Sequence, residues 1–327
     1  MLNPAADLVP AGDHLERLIE AWGLSDAAAR RLRDAGGAVP LLYRAQGEED
    51  PRMQMAPSSL GLAIFTPDLE LVHRRPKPVV RPDELYHNLG LEDPRCTLVD
   101  GTWYVYYTGY TDPEPEDVFD RRVHICLATT ADFIEWDLRG PVAGDLHAVN
   151  NKNAALLPEP VDGEWLLLHR PMEGRHAMSV HMATAPAPEG PWTAAGAILT
   201  SYRYREFTRS WVGSGGPPLA LGDGRFLAVY HQGHFTAEGT REYDLGAALL
   251  DFSRPAPVTA RIEPLMRPTG ALETEGDDEL GVDNVVFSCA NYLHGDRLVI
   301  PYAGADSRIF GASVDFEELL GALEGVQ

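Results

Sequence analysis

The chain has 327 residues, with 27 Lys and Arg against 49 Asp and Glu and a formal charge of −22. Its 44% hydrophobic and 23% charged residues are a globular composition, and that apolar fraction excludes intrinsic disorder. A pI near 4.8 with no basic block argues against nucleic acid or an anionic membrane surface as partner, because phosphates need clustered Lys and Arg.

The opening segment, MLNPAADLVPAGDHLERL, carries neither a basic n-region nor an apolar h-region, so no signal peptide is expected. No uncharged apolar run approaches the ~18 residues of a membrane-spanning helix. Cys96, Cys126 and Cys289 lie far apart, and an odd number cannot close a disulfide framework. Buried, reduced thiols in a cytoplasmic protein are the expectation.

Two short helices are predicted first. Asp13 and Glu16 have capping-box spacing, and Leu15, Leu18, Ile19 and Trp22 share one face before Gly23 ends the segment. Ser25 starts a second helix that stops at Gly36–Gly37. Residues 1–37 are therefore expected to be an N-terminal helical extension on a β domain of residues 38–327.

From residue 38 short β runs repeat. LLYR (41–44), VYYT (105–108), LLHR (167–170), AVYH (228–231) and IPYA (300–303) share one pattern, and their last residues are 64, 62, 61 and 72 positions apart. Three follow Asp-Gly turns, and a second Ala-containing strand comes after each: LGLAIF, ICLATT, HMATAP, LGAALL and FGASVD. Five copies of a β unit at a near-constant period predict an all-β fold, a five-bladed β-propeller. Equivalent strand ends converge in such a fold, here Arg44, Thr108, Arg170, His231 and, slightly later, Asp306. A ring this polar is costly to bury without a ligand, so an anionic or hydroxylated ligand is expected.

The sharpest local motif is Gly90-Leu91-Glu92-Asp93-Pro94-Arg95, directly before an aromatic strand. Two carboxylates and a guanidinium suit acid–base chemistry with one charge held in place, although a structural Asp–Arg pair would look the same. His231 and His234 are spaced i, i+3, which on a strand is not a metal-binding geometry, and no HExxH or clustered Cys is present. VGSGG is not a nucleophile elbow, since no helix pattern follows it.

Together with GLEDPR, the pieces NKNAALLPE (151–159), LHRP (168–171), VGSGGPP (212–218), YHQG (230–233), EYDLGAALLD (242–251), NVVFSC (284–289) and YAGAD (302–306) resemble glycoside hydrolase family 130 in content and order. That family comprises five-bladed propellers acting as β-mannoside phosphorylases and β-mannosidases. The resemblance implies a general acid at Asp93, passing its proton through a hydroxyl of the −1 mannose. It implies phosphate binding by Lys152, Arg170, His231 and Tyr243, with Arg44 as a further ligand. It also implies sugar contacts from Asp306, with Arg44, Glu92 and Arg95 completing the substrate site. No metal or organic cofactor is implied, only inorganic phosphate as co-substrate and a small oligosaccharide as partner; homo-oligomerisation is left open. Where the family often carries an Asn-containing loop toward the −1 mannose, this chain reads RRLRDAGGAV (30–39), as though the helices had displaced it.

Simpler roles compete with these. Lys152 suits a solvated turn, Arg170 a scaffold ion pair, and Trp103, Trp165 and Phe226 suit inter-blade core better than sugar platforms. Three functions follow: an inverting phosphorylase yielding α-mannose 1-phosphate, an inverting β-mannosidase with Glu273, Glu275 or Glu279 as base, or a non-catalytic glycan-binding propeller.

Overall fold

A strand, not a helix, begins the structure, a computed structural model that describes residues 2–46, 57–111, 122–174, 176–201, 210–236, 238–276 and 282–326. β1 (Leu2–Ala6) and β2 (Val9–Pro10) pair antiparallel with β3 (Gly37–Gln46), which continues into β4 (Ser58–Phe65) and β5 (Leu71–Arg74). Helices α1 (Asp13–Trp22) and α2 (Asp26–Asp34) are inserted in the first hairpin, between β2 and β3. Residues 1–37 thus contribute a sheet strand as well as the helices expected there.

The same sheet runs on through β6 (Gly90–Val99), β7 (Thr102–Thr111), β8 (Arg122–Thr130) and β9 (Asp137–Pro141). Among the described residues, the strand pairing that joins its two antiparallel halves is the parallel pair Ser58–Gly90. A second sheet holds β10 (Asn151–Leu156), β11 (Trp165–Pro171), β12 (Val180–Ala185) and β13 (Thr193–Leu199). The third has β14 (Ser210–Ser214), β15 (Leu219–Ala220), β16 (Arg225–Phe235), β17 (Arg241–Asp251) and β18 (Val258–Met266). After the short α3 (Ala271–Thr274) comes the last sheet, β19 (Val286–Phe287), β20 (Tyr292–His294), β21 (Arg297–Gly304) and β22 (Arg308–Asp315), closed by α4 (Phe316–Gly325). The repeated runs of the sequence fall on β3, β7, β11, β16 and β21, each antiparallel to the strand after it.

α1 buries Leu15, Leu18, Ile19 and Trp22, as its spacing predicts, and Gly23 ends it at φ 64°. Its N-cap is Gly12 rather than Asp13, and Glu16 turns away from a capping box to meet Arg33 of α2 at 2.7 Å. The helices cover a core in which Leu42, Leu62 and Ile64 pack against Cys96, Trp103 and Val105. Tyr106, Ile125 and Leu127 pack in turn on Leu156, Leu167 and Ala183. Leu168 and Val180 pack on Phe226 and Tyr230, and Leu227 and Leu249 on Leu298, Ile300 and α4. Finally Ala290, Tyr292 and Val299 pack on Ala6, Val39, Leu41 and Tyr43, which returns the last sheet to the first. Each buried Val or Leu contributes about 1.5–3 kcal/mol, so stability lies in these inter-sheet layers.

Candidate active site

Three equivalent bulges build the centre of the molecule. In β1 the register passes from Leu2↔Arg44 to Ala5↔Leu42, so Asn3 and Pro4 together face Tyr43. In β6 it passes from Glu92↔Thr108 to Arg95↔Tyr106, and in β10 from Lys152↔Arg170 to Ala155↔Leu168. Asn3, Asp93 and Asn153 therefore occupy one structural position, with left-handed φ values of 48°, 51° and 56°. Asn and Asp tolerate that region best among residues with a Cβ. A bulge re-aims the side chain it carries, and these three meet. Asn3 Nδ2 donates to Asp93 Oδ1 at 2.6 Å, and Asn153 Nδ2 reaches Oδ2 at 3.5 Å.

A cavity of about 180 Å³ opens over this cluster, lined by Asn3, Arg44, Glu92, Asp93, Lys152, Asn153, Arg170, His231, Tyr243 and Asp306 together with Arg241, Val282, Val285 and Phe287. On one side Lys152 Nζ donates to Tyr110 Oη at 3.0 Å, and Arg170 Nη1 stands 3.3 Å from His231 Nε2. Lys152 and Arg170 are cross-strand neighbours, and in the next sheet Gly213 stands opposite His231. Glycine is required there, since a Cβ would lie 2.5 Å from His231 Nε2 and 2.7 Å from Asn153 Oδ1. Arg170 Nε and Asn153 Oδ1, from residues that line the cavity, are buried without a protein partner. Buried polar atoms are normally satisfied, so this wall is built to receive a polar ligand.

The electrostatics are divided. Burial opposes the charge on Lys152, but Tyr110, Asp93 and Glu92 raise its pKa above the ordinary lysine value, so it stays cationic. Burial, with Arg170, Arg95 and Lys152, drives the His231 pKa well down, leaving a neutral imidazole with one N–H to donate. Across the cavity Arg44 pairs with Glu92 at 2.8 Å. Burial pushes Asp306 up to about 6; Arg44 opposes the shift, while Asp93 and Glu92 add to it.

The structure thus brings eight of the nine expected site residues to one cavity: Asp93, Arg44, Glu92, Asp306, Lys152, Arg170, His231 and Tyr243. Arg95 is the exception. Only 1% exposed, it donates from Nε to Gly215 O, from Nη1 to Asp93 O and from Nη2 to Ser214 O, which ties the Asp93 bulge to the third sheet instead of facing substrate. The acidic loop supplies no base among the described residues. Glu273 is held by Tyr302 Oη and the N–H groups of Thr269 and Gly270, Glu275 is exposed, and Glu279 lies outside the described residues.

The cavity also takes in Asn3, Asn153 and Arg241, which the motifs of the sequence do not single out. The helices do not displace an asparagine from the site, because Asn3 arrives on the strand before them. A signal existed: Leu-Asn-Pro-Ala-Ala, Glu-Asp-Pro-Arg-Cys and Lys-Asn-Ala-Ala-Leu share an Asx followed by Pro or Ala at the bulge.

A family model described as beta-1,4-mannooligosaccharide phosphorylase matches residues 31–325. A 1,2-beta-oligomannan phosphorylase of Thermoanaerobacter sp. (strain X514) is 33% identical over 290 residues, 86% of this chain and 88% of that protein. A beta-1,2-mannobiose phosphorylase of the same strain is 30% identical over 292 residues, covering 87% and 88%. Among solved structures, a beta-1,2-mannobiose phosphorylase from Listeria innocua in complex with beta-1,2-mannobiose has a TM-score of 0.67 and 24% identity, over 88% of this chain and 87% of that one.

Proposed function

The chain belongs to glycoside hydrolase family 130, and from that membership and the chemistry of its cavity we propose that it cleaves β-mannosides with inversion, using phosphate to release α-mannose 1-phosphate. One observation carries the choice of phosphate over water. Lys152, Arg170, His231 and Tyr243 line the wall beside Asp93, and among the described residues neither Lys152 nor Arg170 is paired with a carboxylate. A phosphate dianion is held by several charge-assisted donors at once, which two cations, an imidazole N–H and a phenol supply. An inverting hydrolase instead needs a second carboxylate to activate water. The carboxylates lining the cavity, among the described residues, are Glu92, Asp93 and Asp306, with Glu92 held by Arg44.

In this reading Asp93 supplies the proton to the departing glycosidic oxygen. Asn3 and Asn153 fix its carboxyl group, and Arg95 fixes its backbone. Phosphate, gripped by Lys152, Arg170 and His231, attacks the anomeric carbon from the face opposite the leaving group. Arg44, Glu92 and Asp306 orient the hydroxyls of the mannose being transferred.

Five core layers linking successive β units, the last returning to Ala6 and Val39, support a five-bladed propeller in which β1 closes the first blade and the helices are its insert. The three free cysteines are buried, which suits the reducing, phosphate-rich cytoplasm as the place of work. Two relatives named for β-1,2-linked substrates cover most of the chain, so a β-1,2-mannoside is the substrate to try first. Incubating the protein with β-1,2-mannobiose, with and without phosphate, tests the reading. Phosphate-dependent α-mannose 1-phosphate is expected, and free mannose formed equally without phosphate would replace phosphorolysis by hydrolysis.

A further inference from the structure

A second cavity, of about 310 Å³, opens next to the catalytic one where the second sheet meets the half-sheet that carries Asp93. Arg122, His124, His147, Asn150 and Glu173 form its walls. The segments that build it also build the catalytic wall. Asn150 precedes Lys152 by two residues, and Glu173 follows Arg170 by three. Val123, between Arg122 and His124, pairs with Tyr110, the acceptor of the Lys152 ammonium. The second cavity therefore lies one step outward from the first, at the same ends of the strands.

Its shape is set by the protein. Asn150 Oδ1 accepts from the Val123 N–H at 2.8 Å, Asn150 O accepts from the Met172 N–H at 2.8 Å, and the Asn150 N–H reaches Glu173 Oε1 at 3.2 Å. His124 and His147 stack with ring centroids 5.0 Å apart and an interplanar angle of 27°. Burial, aided by His147 and Arg122, holds the His124 pKa down to about 4, so its ring is neutral at pH 7.

The lining points to a class of ligand. The lining carries one guanidinium and one carboxylate, which together give no net attraction for an anion. Among the described residues no group of His, Cys, Asp and Glu is arranged to hold a metal ion. A neutral polyol fits what is left: imidazole planes offer apolar faces to sugar C–H groups, and Arg, Asn and Glu offer hydrogen bonds to hydroxyls. We propose that this cavity is a distal aglycone subsite, which binds a sugar unit of a longer mannoside beyond those flanking the cleaved bond. The inference rests on the mannoside reading above.

The test compares β-1,2-mannobiose with β-1,2-mannotetraose in phosphorolysis by the wild type and by His147→Ala and Arg122→Ala, both at exposed positions. The subsite predicts a higher kcat/KM for the tetraose in the wild type, and a loss of about five- to tenfold on the tetraose alone in each variant. Equal effects on both substrates, or no wild-type preference for the longer one, would overturn it. If the wild type phosphorolysed neither substrate, the functional reading would fail by itself. Calorimetric titration of mannotetraose into Asp93→Asn, with and without His147→Ala, still decides the subsite: weaker binding with the second change supports it, and unchanged binding overturns it.

Discussion

Asp93 combines a left-handed backbone, 4% exposure and two asparagine donors. Backbone strain of that kind costs about 1–3 kcal/mol and persists where surrounding contacts hold it, here the Arg95 guanidinium on the Asp93 carbonyl. Asp93→Asn keeps the shape and removes the proton, so turnover should fall by about 100-fold or more while the melting temperature stays close to wild type. Activity near wild type would end its role as acid. Asp306 makes the opposite kind of prediction. Its ordinary pKa of 3.8 is pushed up to about 6, so the folded protein binds the proton more tightly than the unfolded chain. The resulting penalty is absent below about pH 4, grows as pH rises to about 6 and is complete above that, on the order of 3 kcal/mol. Asp306→Asn should therefore raise the melting temperature at pH 7.5 but not at pH 4, and raise KM for the mannoside. An equal shift at both pH values would show that its ionisation is not the cause.

At the scale of single elements, the bulge is the device the site depends on. Three strands use it at the same place, and Asn3 on the first strand holds the carboxylate on the second. A buried hydrogen bond to a charged group is worth about 1.5–3 kcal/mol, so Asn3→Ala should cut kcat by roughly 10- to 100-fold. Unchanged kcat would detach Asn3 from Asp93. Asp93, Lys152, Arg170 and His231 were legible because each sits in a short motif or at the same step of the repeat. The bulges were not, since a two-against-one register exists only between paired strands. The bonding of Arg95 was hidden for a related reason: a motif shows that a guanidinium is near a carboxylate, but not that Ser214 and Gly215 from another sheet present their carbonyls to it.

For the whole molecule, the repeat was readable because its five runs each keep an apolar alternation and a following partner strand. The place of the first strand was not, because LNPAA is short, contains Pro and precedes two strong helical patterns. Yet that strand packs Ala6 in one cluster with Ala290 and with Tyr292 of the last sheet, so the first and last sheets meet there. Removing residues 1–6 should both lower the melting temperature and abolish activity. Loss of activity alone, at full stability, would mean that β1 carries Asn3 without closing the fold.

The proposed anion wall draws Lys152 from β10, Arg170 from β11 and His231 from β16, so no single local segment carries it. Its most direct test is the pair of Michaelis constants of Arg170→Ala, for phosphate and for β-1,2-mannobiose. If Arg170 serves the phosphate and not the sugar, removing this buried cation should raise KM for phosphate about 10- to 100-fold and leave KM for mannobiose within about twofold. A rise in the mannobiose constant with the phosphate constant unchanged would place Arg170 on the sugar and contradict the anion site.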